Sequence, residues 1–233
     1  MRLALFSDVH ANLHALEAVL HHIDRAGADC VACLGDLVGY NADPQPCLDL
    51  IRERCDIVVQ GNHDAAVATG IGIEYLPRDG QAAAHLHRKA LNDDDLAYLA
   101  GLPLVDRIDV GTFVHASPER PADWQRLESH WAIKNQFDHF ETPLCFLAHS
   151  HLPGVVANKI GVLSVKRGPR YLVNVGSVGQ PRDRDPRACV AFFDTDSFSY
   201  RLDRVGYDVE GAVRRIDEVG LPNRLGQRLR RGI

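Results

Sequence analysis

Three short apolar runs alternate with two helical repeats in the first quarter of the chain. No other feature narrows the possible folds as much. Leu3 to Phe6 reads as a buried strand, after which Leu13, Leu16, Val19, Leu20 and Ile23 recur at helical spacing. Gly27 suits the stop of that helix. Cys30 to Leu34 is a second strand, closed by Gly35-Asp36. Pro44 fits the first turn of a helix whose core face is Cys47, Leu48 and Ile51. Ile57 to Val59 is a third strand, closed by Gly61-Asn62-His63-Asp64. Such an alternation with short connections implies right-handed crossovers and parallel strands. In sheets of this kind ligands gather at the carboxyl ends of the strands.

The middle of the chain reads as helical, with Gln81 to Leu91 and Asp93 to Leu99 as helices and Gly101-Leu102-Pro103 as the stop. His85 and His87 stand two apart, a spacing that diverges on a helix, and both are expected on the surface or in a groove. Trp124 and Trp131 are expected to pack rather than to stack on a base. Strands return from Leu104 to Val110, Thr112 to His115, Leu144 to Ala148, Val155 to Ala157, Val162 to Val165 and Tyr171 to Val175. Ala188 to Phe193 and Phe198 to Leu202 form a hairpin around Asp194-Thr195-Asp196-Ser197, and helices at Val209 to Val219 and Asn223 to Arg231 follow. The layout is an α/β fold of two facing sheets with helices outside. With no repeat or linker, residues 1–233 read as one domain, carrying a helical insert over about 65–102 and C-terminal helices over about 209–231.

A formal net charge of −5 over 233 residues argues against a dedicated electrostatic nucleic-acid binder. The basic C-terminal stretch (Arg214, Arg215, Arg224, Arg228, Arg230, Arg231) is interleaved with acidic residues and reads as a solvated helix face. No stretch approaches a membrane span or an export signal, and six cysteines without such a signal suggest reduced thiols in the cytoplasm. Cys30 and Cys33 form a C-x-x-C. On a strand an i,i+3 pair faces opposite ways, so core thiols are favoured over a zinc knuckle.

The strand ends carry the chemistry. Asp8 and His10 follow the first strand, Asp36 the second, Asn62, His63 and Asp64 the third, His115 a later one, and His149 and His151 another. An extended backbone would send Asp8 and His10 to the same side. One cation cannot use so many ligands, whereas two sharing a bridging carboxylate could. Oxygen and nitrogen donors without thiolate suit Mn, Fe, Co, Ni or Zn better than Ca or Mg. Two such ions roughly 3.5–4 Å apart can hold a hydroxide, lower the pKa of its parent water towards about 7 and grip a phosphoryl group. Hydrolysis of a phosphate ester is therefore the expected activity.

The ordered set Asp-x-His, Gly-Asp, Gly-Asn-His-Asp, His and His-x-His resembles the calcineurin-like metallophosphoesterase superfamily. More narrowly it resembles that superfamily's small bacterial and archaeal phosphoesterases, several of them phosphodiesterases, in which Gly176-Ser177-Val178-Gly179-Gln180-Pro181-Arg182 also has counterparts. The resemblance implies a four-layer α/β/β/α sandwich. It implies that Asp8, His10 and His151 bind one metal, that Asp36 bridges, and that Asn62, His115 and His149 complete the second. It further implies that His63 faces the phosphate as the catalytic imidazole and that Asp64 holds it in position and tautomer. Asn12, Asn62 and Arg182 are expected near the substrate phosphate. For Arg182 a structural ion pair with Asp183 or Asp185 is an equal alternative.

The cofactor expected is a pair of divalent transition-metal ions, Mn first, with Fe, Ni, Co or Zn as alternatives. The partner is a small, nucleotide-like phosphodiester or phosphomonoester. A membrane is excluded and nucleic acid disfavoured, and the oligomeric state is left open, a homodimer included. A nuclease, sharing the chemistry, and a catalytically silent scaffold are the competing functions. The scaffold is disfavoured because no ligand position is missing. The sequence departs from the common pattern at Ala11, Ala116 and Ala148, each alanine where glycine is usual. At any of them a positive φ would cost about 1–2 kcal/mol.

Overall fold

Two five-stranded mixed sheets face each other in the computed structural model, which describes residues 1–233, and eight helices flank them. The first sheet is built on β1 (Arg2–Phe6), β2 (Cys30–Cys33) and β3 (Ile57–Val58), all parallel. The hairpin β9 (Ala188–Asp194) and β10 (Ser199–Val205) is added on the far side of β1, antiparallel to it. The second sheet has the order β4 (Val105–Ile108), β5 (Gly111–Val114), β6 (Leu144–Leu147), β8 (Tyr171–Asn174) and β7 (Gly154–Ala157).

Strand alternation sorts the first sheet's side chains into two cores. Leu3, Leu5, Ala32, Leu34, Ala191 and Phe193 point inward and meet Phe113, Phe146, Tyr171 and Val173 of the second sheet. Ala4, Phe6, Cys33, Val190 and Phe192 point outward. There they pack against α1 (Leu13–Ala26), α2 (Pro44–Arg54), α3 (Asn62–Thr69) and α5 (Asp93–Gly101). Cys30 and Cys33 fall on opposite sides of β2, as the i,i+3 spacing requires, and all six thiols are free.

α4 (Arg78–Ala90), α7 (Val209–Glu218) and α8 (Asn223–Arg231) form a further cluster around Ala83, Val213, Ile216, Leu225 and the inward-turned Tyr40. The outer face of the second sheet has a thinner cover. Only α6 (His130–Asn135) and the 3-10 turn after it lie there, with Phe137 and Phe140 against Cys145 and Leu147. No helix is long and apolar enough to cross a membrane.

Three expectations are corrected. Val162 to Val165 forms no strand; it lies in an irregular crossover between β7 and β8 whose Ile160 and Leu163 are fully exposed. Val162 and Val165 are half-buried against the core between the sheets, but no strand pairs with the backbone of this segment. Trp131 is 73% exposed, not packed. His87 is buried while His85 is exposed, because His87 shares the core face of α4 with Ala83, Ala84 and Gly80.

Candidate metal centre

The parallel pairing of β1 and β2 continues past the strands as a zipper between their loops. Asp8 N–H donates to Gly35 O (3.0 Å), His10 N–H to Asp36 O (2.9 Å) and Ala11 N–H to Leu37 O (2.9 Å). Both loops thus run side by side at the carboxyl edge of the sheet. Val178 and Gly179 bind the other side of the first loop, donating to Ser7 O (2.9 Å) and Asp8 O (2.8 Å). At the second sheet Ala148 N–H donates to His115 O (2.9 Å), bringing the ends of β5 and β6 together.

The backbone in these loops is not extended. Asp8, His10, Asp36, His149 and His151 all lie in the left-handed region, at φ 51°, 48°, 53°, 65° and 62°. Asp8 and His10 therefore converge through successive left-handed turns, and the expected strand-like projection is overturned. Ala11 also has a positive φ of 55° and carries the cost foreseen for it, whereas Ala116 and Ala148 do not. Gly61 is required by close approach: a Cβ there would stand 2.2 Å from Asp36 Oδ1.

Three imidazoles are locked in one tautomer by main-chain carbonyls. His10 Nδ1 donates to Val38 O (2.9 Å), His115 Nδ1 to Leu34 O (2.7 Å) and His151 Nδ1 to Gln180 O (2.6 Å). At His10 and His151 each Nε2 is then a bare lone pair turned into the site. At His115 burial lowers the pKa of the ring, but Asp36 and Asp8 outweigh it and raise it to about 9, so its Nε2 gives up a proton when a cation enters. His10 and His151 face each other there with Nε2 atoms 3.2 Å apart, and His115 Nε2 lies 3.2 Å from His149 Nδ1.

Carboxylates complete both pairs. Asp8 Oδ1, buried and without a hydrogen bond, is 3.8 Å from His10 Nε2 and 3.5 Å from His151 Nε2. Asp36 Oδ1 accepts from His63 N–H (2.8 Å), and its Oδ2 stands between the groups, 3.6 Å from His10 Nε2 and 3.4 Å from His115 Nε2. Two buried donor sets result, Asp8–His10–His151 and Asp36–His115–His149, and His10–Asp36–His63 also falls within reach of one ion. Asn62 Oδ1 is another buried acceptor without a partner.

Electrostatics fit a cation. Burial raises the Asp8 carboxyl above its usual range, with Asp36 adding to it. Burial works the same way on Asp36, but His115, His63 and His10 outweigh it and hold it well below. Burial lowers His10 and His151 strongly, His149 to about 3 and His63 to about 4, which keeps those imidazoles neutral. Unpaired buried oxygens beside lone-pair nitrogens form a repulsive cavity until positive charge enters it. The donor set fits divalent transition metals.

Two expected residues have other surroundings. Both Asp64 oxygens accept main-chain hydrogen bonds, Oδ1 from Leu37 and Val38 (2.8 and 3.2 Å) and Oδ2 from Gly61 (2.9 Å). Asp64 thus ties the Asp36 loop to the start of α3, and no hydrogen bond joins it to the His63 ring, whose Nδ1 is buried and unpaired. Asn12 caps α1, its Oδ1 accepting from Ala15 N–H (3.2 Å), and its Nδ2 donates to Gly179 O (3.1 Å). With both ends engaged, Asn12 supports the loop and has no free group for a phosphate.

Arg182 is not in the alternative ion pair. Asp183 is taken by Arg204 and Asp185 by Arg187. Three residues near the centre had no motif to reveal them. Tyr40 lies under His10 and His63 (ring centroids 4.7 and 4.6 Å), Trp124 stands edge-on to His115 (6.0 Å), and Tyr75 is 86% exposed at the cleft mouth. A cleft of about 680 Å³ opens from Asn62 and His149 between Tyr75, Trp124 and Arg126.

This fold and this edge-of-sheet constellation define a metallophosphoesterase, and comparison with known proteins agrees. Residues 1–197 match the calcineurin-like phosphoesterase superfamily domain, and the chain belongs to that superfamily. It is 35% identical over 237 aligned positions to an uncharacterised protein of Methanocaldococcus jannaschii, covering 97% of this chain and 96% of that one. The crystal structure of a metallophosphoesterase from Sphaerobacter thermophilus superposes with a TM-score of 0.89 at 35% identity, covering 100% and 99% of the two chains. A hypothetical protein from Pyrococcus horikoshii shares the fold, with a TM-score of 0.83 at 21% identity over 100% and 98%.

Proposed function

We propose that the chain is a two-metal phosphoesterase acting on a small, nucleotide-like phosphate ester, diester or monoester. The observation that carries this is Asp36 Oδ2 standing between the imidazoles of His10 and His115, the position of a bridging ligand. Asp8, His10 and His151 would hold one ion together with Asp36. Asn62, His115 and His149 would hold the other, with Mn the first choice and Fe, Ni, Co or Zn possible by the same donor chemistry. When bound, such a pair supplies Lewis-acid charge at the phosphoryl oxygens and a hydroxide nucleophile near neutral pH.

The chain's own residues do the rest. Asp36 accepts the His63 main-chain N–H, which fixes the start of α3 and sets the imidazole beside the centre. His63 faces the leaving oxygen and gives it a proton or a hydrogen bond. Asp64 acts through the backbone, pinning Leu37, Val38 and Gly61 so that Asp36 and His63 keep their spacing. Arg182 presents its charge to the same region, where it opposes the burial that raises Asp8 and adds to the burial that lowers His151. Tyr75 and Trp124 offer aromatic faces to a planar leaving group in the cleft. The free thiols favour a reducing compartment, the cytoplasm.

Purified protein supplied with Mn should cleave p-nitrophenyl phosphate or bis(p-nitrophenyl) phosphate. Failure to cleave either with Mn, Fe, Co, Ni or Zn would overturn the reading.

A further inference from the structure

The basic C-terminal segment does not behave as one solvated face. Arg214 meets Asp208 (3.5 Å) and Arg230 meets Glu210 (2.7 Å) in ordinary surface pairs, and Arg215 meets the largely buried Asp43 (2.8 Å). Arg228, on the inward side of α8, is set differently. Its guanidinium carbon is 5.8 Å from the centre of the Tyr40 ring, and that of Arg182 is 5.7 Å from the same ring.

Neither of these two arginines is paired with an aspartate or glutamate. The carboxylates beside Arg182 in sequence are engaged by Arg204 and Arg187, and Asp79 faces Arg224 at 3.8 Å. Arg228 Nε donates to the Ile233 main-chain oxygen (2.8 Å), which leaves its terminal nitrogens open. Arg182 Nη2 donates to Gln180 Oε1 (3.1 Å), and its Nε is buried with no partner. Burial lowers the Arg228 pKa, and the charge of Arg182 lowers it further. Two like charges held part-buried over one ring repel each other, a cost that an anion between them would offset.

Tyr40 links the pair to the metal centre, and Arg228, but not Arg182, also lines a groove. Tyr40, beneath both guanidinium groups, also touches the rings of His10 and His63. Beyond Arg228 a groove of about 540 Å³ runs between the first turn of α4 and α8, lined by Arg78, Asp79, Arg224 and Arg228. Three arginines face a single carboxylate there.

We infer that Arg182 and Arg228 form a second phosphate subsite, so that the natural substrate is a small di- or polyphosphate whose chain runs from the metal centre over Tyr40 into the arginine groove. This rests on the phosphoesterase reading of the centre. It adds the substrate class: the scissile phosphoryl group carries at least one phosphate neighbour.

The test is calorimetric titration of the full-length, EDTA-treated chain with tripolyphosphate, orthophosphate and a short single-stranded oligonucleotide. Tripolyphosphate should bind about tenfold or more tightly than orthophosphate, and Arg228→Gln should remove that difference while Arg228→Lys restores most of it. Should Arg228→Gln fail to give folded protein, Arg182→Gln carries the same comparison. Equal binding of tripolyphosphate and orthophosphate, or an unchanged preference in Arg228→Gln, would overturn the subsite. Tighter binding of the oligonucleotide, lost in the same variant, would overturn the small-substrate assignment. Loss of all ester cleavage would count against the phosphoesterase reading, while these binding ratios would still decide the subsite by themselves.

Discussion

His10 and His151 present their Nε2 atoms to each other at 3.2 Å, while the other nitrogen of each ring donates to a main-chain carbonyl. Neither Nε2 has a proton to offer, so the approach is repulsive until a cation lies between them. The fold sustains it because the left-handed turns at both residues are held by the loop zipper and by Gln180. Asp8 Oδ1, unpartnered beside them, supplies the matching negative charge.

His63 is the residue whose loss should separate chemistry from metal binding. His63→Ala is expected to lower kcat by about 10²–10⁴-fold, the range of a lost general acid, with metal content unchanged. Steady-state assay beside elemental analysis of the same preparation checks this. Loss of metal in the variant would instead make His63 a ligand.

The cleft aromatics should act on the substrate and not on the metals. Tyr75→Ala and Trp124→Ala are expected to raise KM for a nucleotide ester by about tenfold each, the worth of one stacked base, with little change for a small alkyl phosphate. Equal effects on both substrates would remove the stacking role.

Buried neutral histidines make stability depend on pH in one direction. Burial lowers His87 from 6.5 to about 4, and both its nitrogens serve the Asp36–Asn41 loop: Gly39 N–H donates to Nδ1 (3.0 Å) and Nε2 donates to Asn41 O (2.8 Å). The unfolded chain therefore binds the proton first. The contribution is full above pH 6.5, falls as the pH drops from there towards 4, and is lost below. For His87 the span is about 3 kcal/mol. Denaturant melts of metal-free protein between pH 4 and 7.5 should show this slope, reduced in His87→Leu, which should also lose about 2–4 kcal/mol at pH 7.5 by leaving Gly39 N–H and Asn41 C=O unpaired. An unchanged slope in His87→Leu would contradict it.

The three alanines should respond differently to glycine. Ala11→Gly relieves a residue at φ 55° and should stabilise the protein by about 0.5–1 kcal/mol after the greater entropy of glycine in the unfolded chain is counted. Ala116→Gly and Ala148→Gly relieve no such strain and should destabilise by about 0.5–1 kcal/mol. Chemical denaturation of the three variants would show the contrast, and a destabilised Ala11→Gly would refute it.

Much of the centre could be read from the sequence because each strand is short and ends abruptly in a polar residue of ligand type. Parallel pairing then obliges those ends to share an edge. The projection of Asp8 and His10 could not be read, since periodicity describes extended or helical backbone and both residues are left-handed. Asn12 did carry a signal, an asparagine directly before a helical repeat, which marks a cap as readily as a phosphate contact. His87 could have been placed from Ala83 and Gly80, one and two turns earlier on the same face of α4. Arg228 could not, because every arginine in a basic helix looks alike until a partner such as Tyr40, 188 positions earlier, fixes which side is buried. Trp124 lies in an irregular segment where no period exists to read.

Asp36 joins the two donor sets, so metal stoichiometry tests the two-ion centre most directly. Elemental analysis after saturation with Mn and dialysis should find about two ions per chain in the unaltered protein and at most about one in Asp36→Asn, whose amide cannot supply the bridging charge. A single ion or none in the unaltered chain, or two retained in Asp36→Asn, would contradict a centre bridged by Asp36.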